Sequence, residues 1–191
     1  PIEYVMGLGG KRMRPILLLM AHQLFDENIE KAIPPALGIE IFHNFTLLHD
    51  DIMDNAPIRR GQQTVHEKWD NNVAILSGDT MLVQVYQLLS DVDKSILKEV
   101  FSVFNKAATQ VCEGQQWDMD FETQENVQLA DYMKMIENKT AVLLAASLQI
   151  GGITAGADKE EQEHLYEFGK NIGIAFQLKD DLLDAFGNSD K

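Results

Sequence analysis

Asp50, Asp51, Ile52, Met53 and Asp54, then Asp180, Asp181, Leu182, Leu183 and Asp184, spell the same DDxxD pattern twice in this chain. On a helix the first and last aspartates of each set fall one turn apart on one face, where like charges repel unless something cationic sits between them. Hard carboxylate oxygens of this kind suit magnesium, which commonly bridges to substrate phosphates. A single copy would fit a solvated helix face equally well; the repetition argues for a metal-assisted diphosphate site. Asp51 and Asp181 point about 100° off each stripe and are the weaker ligand candidates. Both clusters follow apolar runs, Phe42, Phe45, Leu47 and Leu48 in one case, Ile172, Ile174, Phe176 and Leu178 in the other. Such runs are too apolar for outer surface, so the carboxylates are expected at the rim of a buried pocket.

Cations stand close to these acids in the sequence. Lys11, Arg12 and Arg14 follow Gly9 and Gly10, and Arg59 and Arg60 precede Gly61, which concentrates five of only 16 basic residues in two short segments. Arginine offers a planar fork that matches phosphate oxygens, lysine a point charge, and glycine lets the backbone approach closely. The same groups could serve as counter-ions to the aspartates. His43, two turns before Asp50 on the same helix, fits a satisfied core histidine or a ligand. His49 and His66 have no motif around them, and Cys112 reads as core. Lys139 and Thr140 by themselves read as a helix start with a capping hydroxyl. Lys179 reads as a surface charge or a counter-ion.

The elements that must hold these residues are legible from periodicity. Apolar residues recur every three or four positions over 16–24, 39–52, 73–89, 96–111, 133–148 and 165–186, with breaks at Gly9 and Gly10, Pro34 and Pro35, 55–61, 90–94 and 151–158. No alternating strand pattern of useful length occurs. The expected fold is an all-α bundle with the two acidic helices facing each other across a central cavity. A length of 191 residues suits one domain over 1–191, and its single cysteine cannot bridge internally, which fits a reducing cytoplasm. The start at Pro1 leaves little room for a helix before Gly9. The chain also stops soon after the second cluster, with 187–189 reading as a turn, so both ends are expected to be incomplete. The net charge of −14 argues against nucleic acid as a partner. The apolar run 141–157 is interrupted by Ser147, Gln149 and glycines and falls short of the roughly 20 residues a spanning helix needs, so stable membrane insertion is not expected. Acidic residues at 122–125 and 158–163 read as solvated surface.

GGKRMRP, then His43 ahead of DDIMD, then RRG, GQQWD, Lys139 with Thr140, and finally FQLKDDLLD follow one another from Gly9 to Gly187. In that order they resemble the trans-isoprenyl diphosphate synthases of the polyprenyl synthetase family, in particular its short-chain farnesyl and geranylgeranyl diphosphate synthases. The resemblance implies an isoprenoid synthase helical bundle that joins isopentenyl diphosphate head to tail to an allylic diphosphate with three magnesium ions, and it implies a homodimer. It assigns magnesium to Asp50, Asp54 and Asp180, with Asp181 and Asp184 in support through water. Lys11, Arg14, His43 and Arg60 would hold isopentenyl diphosphate; Arg59, Lys139 and Gln177, with Thr140 beside them, would hold the allylic diphosphate. Gln115 and Asp118 match a motif that lines the cavity and orients an arginine.

The chemistry is consistent with that assignment. Metals with Arg59 and Lys139 would stabilise a departing diphosphate, and an apolar bundle would keep water from the resulting carbocation. The released diphosphate is thought to take the final proton. Phe45 would form the floor against which the growing tail stops, with the smaller Thr46 next to it, which favours a product of twenty carbons and then fifteen. Three alternatives remain: a class I terpene cyclase, a non-catalytic or regulatory subunit of a heteromeric synthase, and an acidic helical interaction module. A cyclase usually carries an Asn/Ser/Glu triad as its second metal motif, a partner subunit typically loses one aspartate cluster, and an interaction module has no use for the ordered basic motifs. Family members also carry a lysine a few residues past the second motif, and Lys191 is too close to match it.

Overall fold

A computed structural model describes residues 1–186, the Asp184 side chain excepted, so the turn expected at 187–189 lies outside the described residues. Nine α-helices make up most of it: α1 (Ile2–Gly7), α2 (Met13–Gln23), α3 (Ile33–Met53), α4 (Val65–Lys68), α5 (Asn71–Leu89), α6 (Leu97–Phe121), α7 (Leu129–Ile136), α8 (Val142–Thr154) and α9 (Lys159–Phe186). The fold is all-α, as expected. No described helix is long and apolar enough to cross a membrane.

Local chemistry explains where several elements begin. Pro34 and Pro35 do not break the chain; they occupy the first turn of α3, where backbone N–H groups have no helical partner to lose. The Asp70 side chain caps α5 by accepting from the Val73 N–H at 2.8 Å. Asp158 and Glu161 cap α9 reciprocally, each side chain accepting from the other's backbone N–H at 2.9 and 2.8 Å. Two expectations need correction. A helix, α1, does form before Gly9, because Val5 buries itself among Leu48, Val65, Ala74 and Met81. In addition, 58–63 holds a short hairpin, Ile58–Arg59 paired antiparallel with Gln62–Gln63.

α8 is the axis of the molecule. Nearly all its residues are buried, and α2, α6 and α9 pack around it. The main core joins Leu18 of α2, Ile39 and Phe42 of α3, Val85 and Leu89 of α5, Phe104 of α6, and Leu143 and Ile150 of α8. α9 comes so close that a Cβ on Gly173 would lie 2.5 Å from the Ala141 Cα, and the second acidic cluster is thereby drawn in beside 137–141. On the other side of α9 Leu178 and Leu182 are exposed, whereas Ile172 and Phe176 face the cavity described below. The expectation that the run before the second cluster is interior is corrected for Leu178, while Ile172 and Phe176 stand at the pocket wall.

Candidate active site

α2, α3, α6, α8, α9 and the 8–12 loop enclose a cavity of about 1150 Å³. Its wall holds Lys11, Arg14, His43, Asp50, Arg59, Arg60, Gln115, Lys139, Thr140, Gln177 and Asp180. One volume thus unites the acidic motifs with the basic ones, and Phe45 and Thr46 line it too. Asp54, Asp118 and Asp181 are not part of this wall. Asp54 is exposed, one turn below Asp50 at the end of α3, where its N–H donates to the Asp50 carbonyl at 2.9 Å. The side chain of Asp184 lies outside the described residues.

The first cluster divides its work. Asp51, turned off the stripe and 5% exposed, accepts from Arg59 through Nε at 2.7 Å and Nη2 at 2.6 Å. Asp50 faces the cavity; its Oδ1 is buried and accepts no hydrogen bond, although Lys139 Nζ stands 3.9 Å away. Burial raises both carboxyls above the ordinary aspartate value. A buried carboxylate oxygen with no donor, aimed into the cavity, has the chemistry to take a cation. Among the described residues, no three histidine, cysteine or acidic side chains gather closely enough to hold an ion alone. Magnesium suits that arrangement, since it takes few protein carboxylates and completes its shell with waters and phosphate oxygens.

Lys139 and Thr140 lie on a π-helical turn, Glu137–Ala141, rather than at a helix start. Such turns recur at functional sites because the extra residue re-aims side chains. Lys139 Nζ is held by Asp118 Oδ2 at 2.5 Å, so Asp118 orients a lysine here, not the expected arginine. Thr140 donates to Gln177 at 2.9 Å, Gln177 donates to Asp181 at 2.8 Å, and the Tyr132 hydroxyl donates to Asp181. Asp181 is therefore tied into a hydrogen-bonded chain behind the second cluster. Desolvation, and then the hydrogen bond to Asp181, disfavour the Tyr132 phenolate and push its pKa up to about 12.

The basic end owes its shape to the hairpin. Arg60 and Gly61 both have positive φ, 54° and 77°, the backbone of a type I′ turn. That turn sends Arg59 towards Asp51 and Arg60 towards Gly9, whose carbonyl accepts from it. Arg14 is half-buried, desolvation lowers it to about 10, and its Nη1 donates to His43 Nε2 at 3.1 Å. His43 is held near 2 by burial and by Arg14, so the imidazole is neutral. With Nε2 accepting, its one proton must sit on Nδ1. Lys11 Nζ lies 5.7 Å from the Phe176 ring centre, reaching across to α9.

Glu40 and Tyr132 escaped the reading of the sequence, and Arg12 and Cys112 were read differently. Arg12, half-buried, pairs with the buried Glu40, although Arg12 stood inside a quoted motif, and Glu40 lies three positions before His43 on α3. Tyr132 carried no local signal. Cys112, expected in the core, is exposed and lines the cavity, because α6 turns that face towards the open volume.

Comparisons with known proteins agree with this geometry. The pattern of the polyprenyl synthetase family matches residues 1–191. A geranylgeranyl diphosphate synthase of Methanosarcina mazei is 45% identical over 184 residues, covering 95% of this chain and 57% of that protein. A crystal structure of a geranylgeranyl pyrophosphate synthase superposes with a TM-score of 0.97 at 51% identity, covering 100% of this chain and 58% of that one. A polyprenyl synthase of Caulobacter crescentus, solved with calcium and isoprenyl diphosphate, superposes with a TM-score of 0.90 at 32% identity over 96% of this chain and 55% of that one. The chain spans little more than half the length of the relatives it matches. Its motifs, its fold and the full extent of the match lead to one conclusion: the chain belongs to the polyprenyl synthetase family.

Proposed function

We propose that this chain carries the site of a short-chain trans-prenyltransferase, which joins isopentenyl diphosphate head to tail to an allylic diphosphate and makes geranylgeranyl diphosphate, with farnesyl diphosphate the next candidate. The observation that carries this reading is a single cavity with two polar ends and an apolar floor. One end presents Asp50, Asp180, Arg59 and Lys139; the other presents Lys11, Arg14, His43 and Arg60; Phe45 lies between them and the core.

Asp50, Asp54 and Asp180 would hold magnesium, with Asp181 and Asp184 in support through water. Bound there, the ions would neutralise the allylic diphosphate and make it a leaving group. Arg59 and Lys139 add donors held in place before substrate arrives, by Asp51 and Asp118 respectively, so little reorganisation is needed at the moment of reaction. Gln177 and Thr140 complete that end. Lys11, Arg14 and Arg60 would grip the second diphosphate, and neutral His43 offers its Nδ1 proton without adding another charge to a crowded set of cations. Leu143, Leu144 and Met119 help to keep water from the reacting carbons. Two copies are expected to associate, with the exposed Ile75, Leu76 and Val83 of α5 available for the contact.

The test is incubation of the full-length protein with labelled isopentenyl diphosphate, magnesium and allylic primers of increasing length. Elongation that stops at twenty or fifteen carbons supports the reading; no magnesium-dependent incorporation with any primer overturns it.

A further inference from the structure

The basic end of the cavity contains one buried acid. Glu40, 6% exposed, lies on the cavity wall. Its Oε1 accepts from Arg12 and, at 2.9 Å, from the side-chain amide of Asn44, which also donates to the Glu40 carbonyl at 2.8 Å. The charge acts on Arg14 and Arg60 as well, raising the affinity of each guanidinium for its proton. A buried anion inside a pocket that must receive an anion opposes binding by simple Coulomb repulsion. It needs another reason to be there.

Arg12 supplies the reason. Its Nη1 donates to Glu40, while Nη2 donates to the carbonyls of Met6 at 2.7 Å and Leu8 at 3.1 Å. Arg60 closes on the same segment, donating to Leu8 at 3.2 Å and to Gly9. The backbone they hold is unusual: Arg12 has φ 50°, and Gly10 has φ 149° where a Cβ would lie 2.9 Å from the Arg60 guanidinium. Side chains on ordinary backbone would not keep this path unaided. Lys11 sits in the middle of it, and Arg14 follows in the first turn of α2.

Resting on the proposed diphosphate site, we propose that Glu40, with Asn44 and Arg12, is a positioning device for the isopentenyl diphosphate subsite: Glu40 orients Arg12, and Arg12 ties the 8–12 loop so that Lys11 and Arg14 face the cavity. Glu40 acts through Arg12 and does not itself touch substrate.

The sign of one substitution separates this role from a plain counter-charge. Glu40→Gln keeps the shape and removes the anion. If Glu40 only moderated the local field, the variant would bind isopentenyl diphosphate more tightly. Loss of positioning instead weakens binding by roughly tenfold or more, since small displacements of binding groups carry large penalties. Arg12→Lys, which keeps the charge and loses the fork, is expected to act in the same direction. The measurements are calorimetric binding of isopentenyl diphosphate to the full-length protein, KM for each substrate, and Tm. A selective rise in KM for isopentenyl diphosphate, with KM for the allylic primer and Tm held, supports the inference. Unchanged or tighter binding overturns it, and so does an equal loss for both substrates accompanied by a lowered Tm. Failure of the parent protein to bind or incorporate isopentenyl diphosphate would instead overturn the proposed function, and this inference with it.

Discussion

Three aspartates of one motif meet three different fates, and the direction of each side chain decides which. Asp50 looks into the cavity, Asp54 is solvated at the helix end, and Asp51 is turned inward against Arg59. Asp51→Asn should therefore free Arg59 without removing a metal ligand, raising KM for the allylic primer on the order of tenfold at unchanged magnesium affinity. Asp50→Asn should instead lower kcat by roughly a hundredfold or more, read by steady-state kinetics across a magnesium titration. His43 makes a prediction about stability. Its value is depressed from 6.5 to about 2 in the folded chain, so the unfolded chain takes up the proton first as pH falls. The neutral imidazole's contribution is whole above pH 6.5 and is withdrawn below it by about 1.4 kcal/mol per pH unit, down towards the folded value. Urea unfolding at pH 7 and pH 5 should show His43→Gln to be less pH-sensitive than the parent; equal sensitivity would remove His43 as the cause.

At the scale of elements, α6 and the π-helical turn are in backbone contact. A Cβ on Gly114 would lie 2.3 Å from the Lys139 nitrogen and 2.7 Å from its Cα. Alanine ordinarily gains about 1 kcal/mol over glycine inside a helix, but backbone atoms cannot step aside as a flexible side chain can. Overpacking should win, so Gly114→Ala is expected to lose about 1–3 kcal/mol of stability and to move Lys139, lowering both Tm and kcat. On the proposed reading α3 would act as a ruler: Asp50 stands at its cavity end, and Phe45, packed on Phe42 with ring centres 5.6 Å apart, lies further down the same helix. Phe45→Ala should lengthen the product by one or more five-carbon units, seen by chromatography of the extracted prenols. An unchanged distribution would exclude Phe45 as the floor.

For the molecule as a whole, the cations crowded around one cavity of an acidic protein should make the ligand-free state the less stable one. Arg12, Arg14, Arg59 and Arg60 all act against protonation of His43, a sign of the positive field they create. Magnesium with inorganic diphosphate at about a hundred times its Kd should add roughly 2.7 kcal/mol, several degrees in Tm, and the gain should shrink at high salt. Much of this molecule was legible in its sequence. Helix periodicity, the two aspartate clusters and the glycine-flanked basic segments are local patterns, and local spacing is enough to place side chains on one helical face. Lys139 in a π-helical turn and Arg60 at positive φ were not legible, because neighbouring elements impose both conformations. The sequence by itself determined the all-α class and which residue types could serve a diphosphate. Only the tertiary structure decided the pairings: Asp51 with Arg59, Asp118 with Lys139, and Glu40 with Arg12. Charge pairing depends on separation in space and on burial, and neither can be read from separation along the chain.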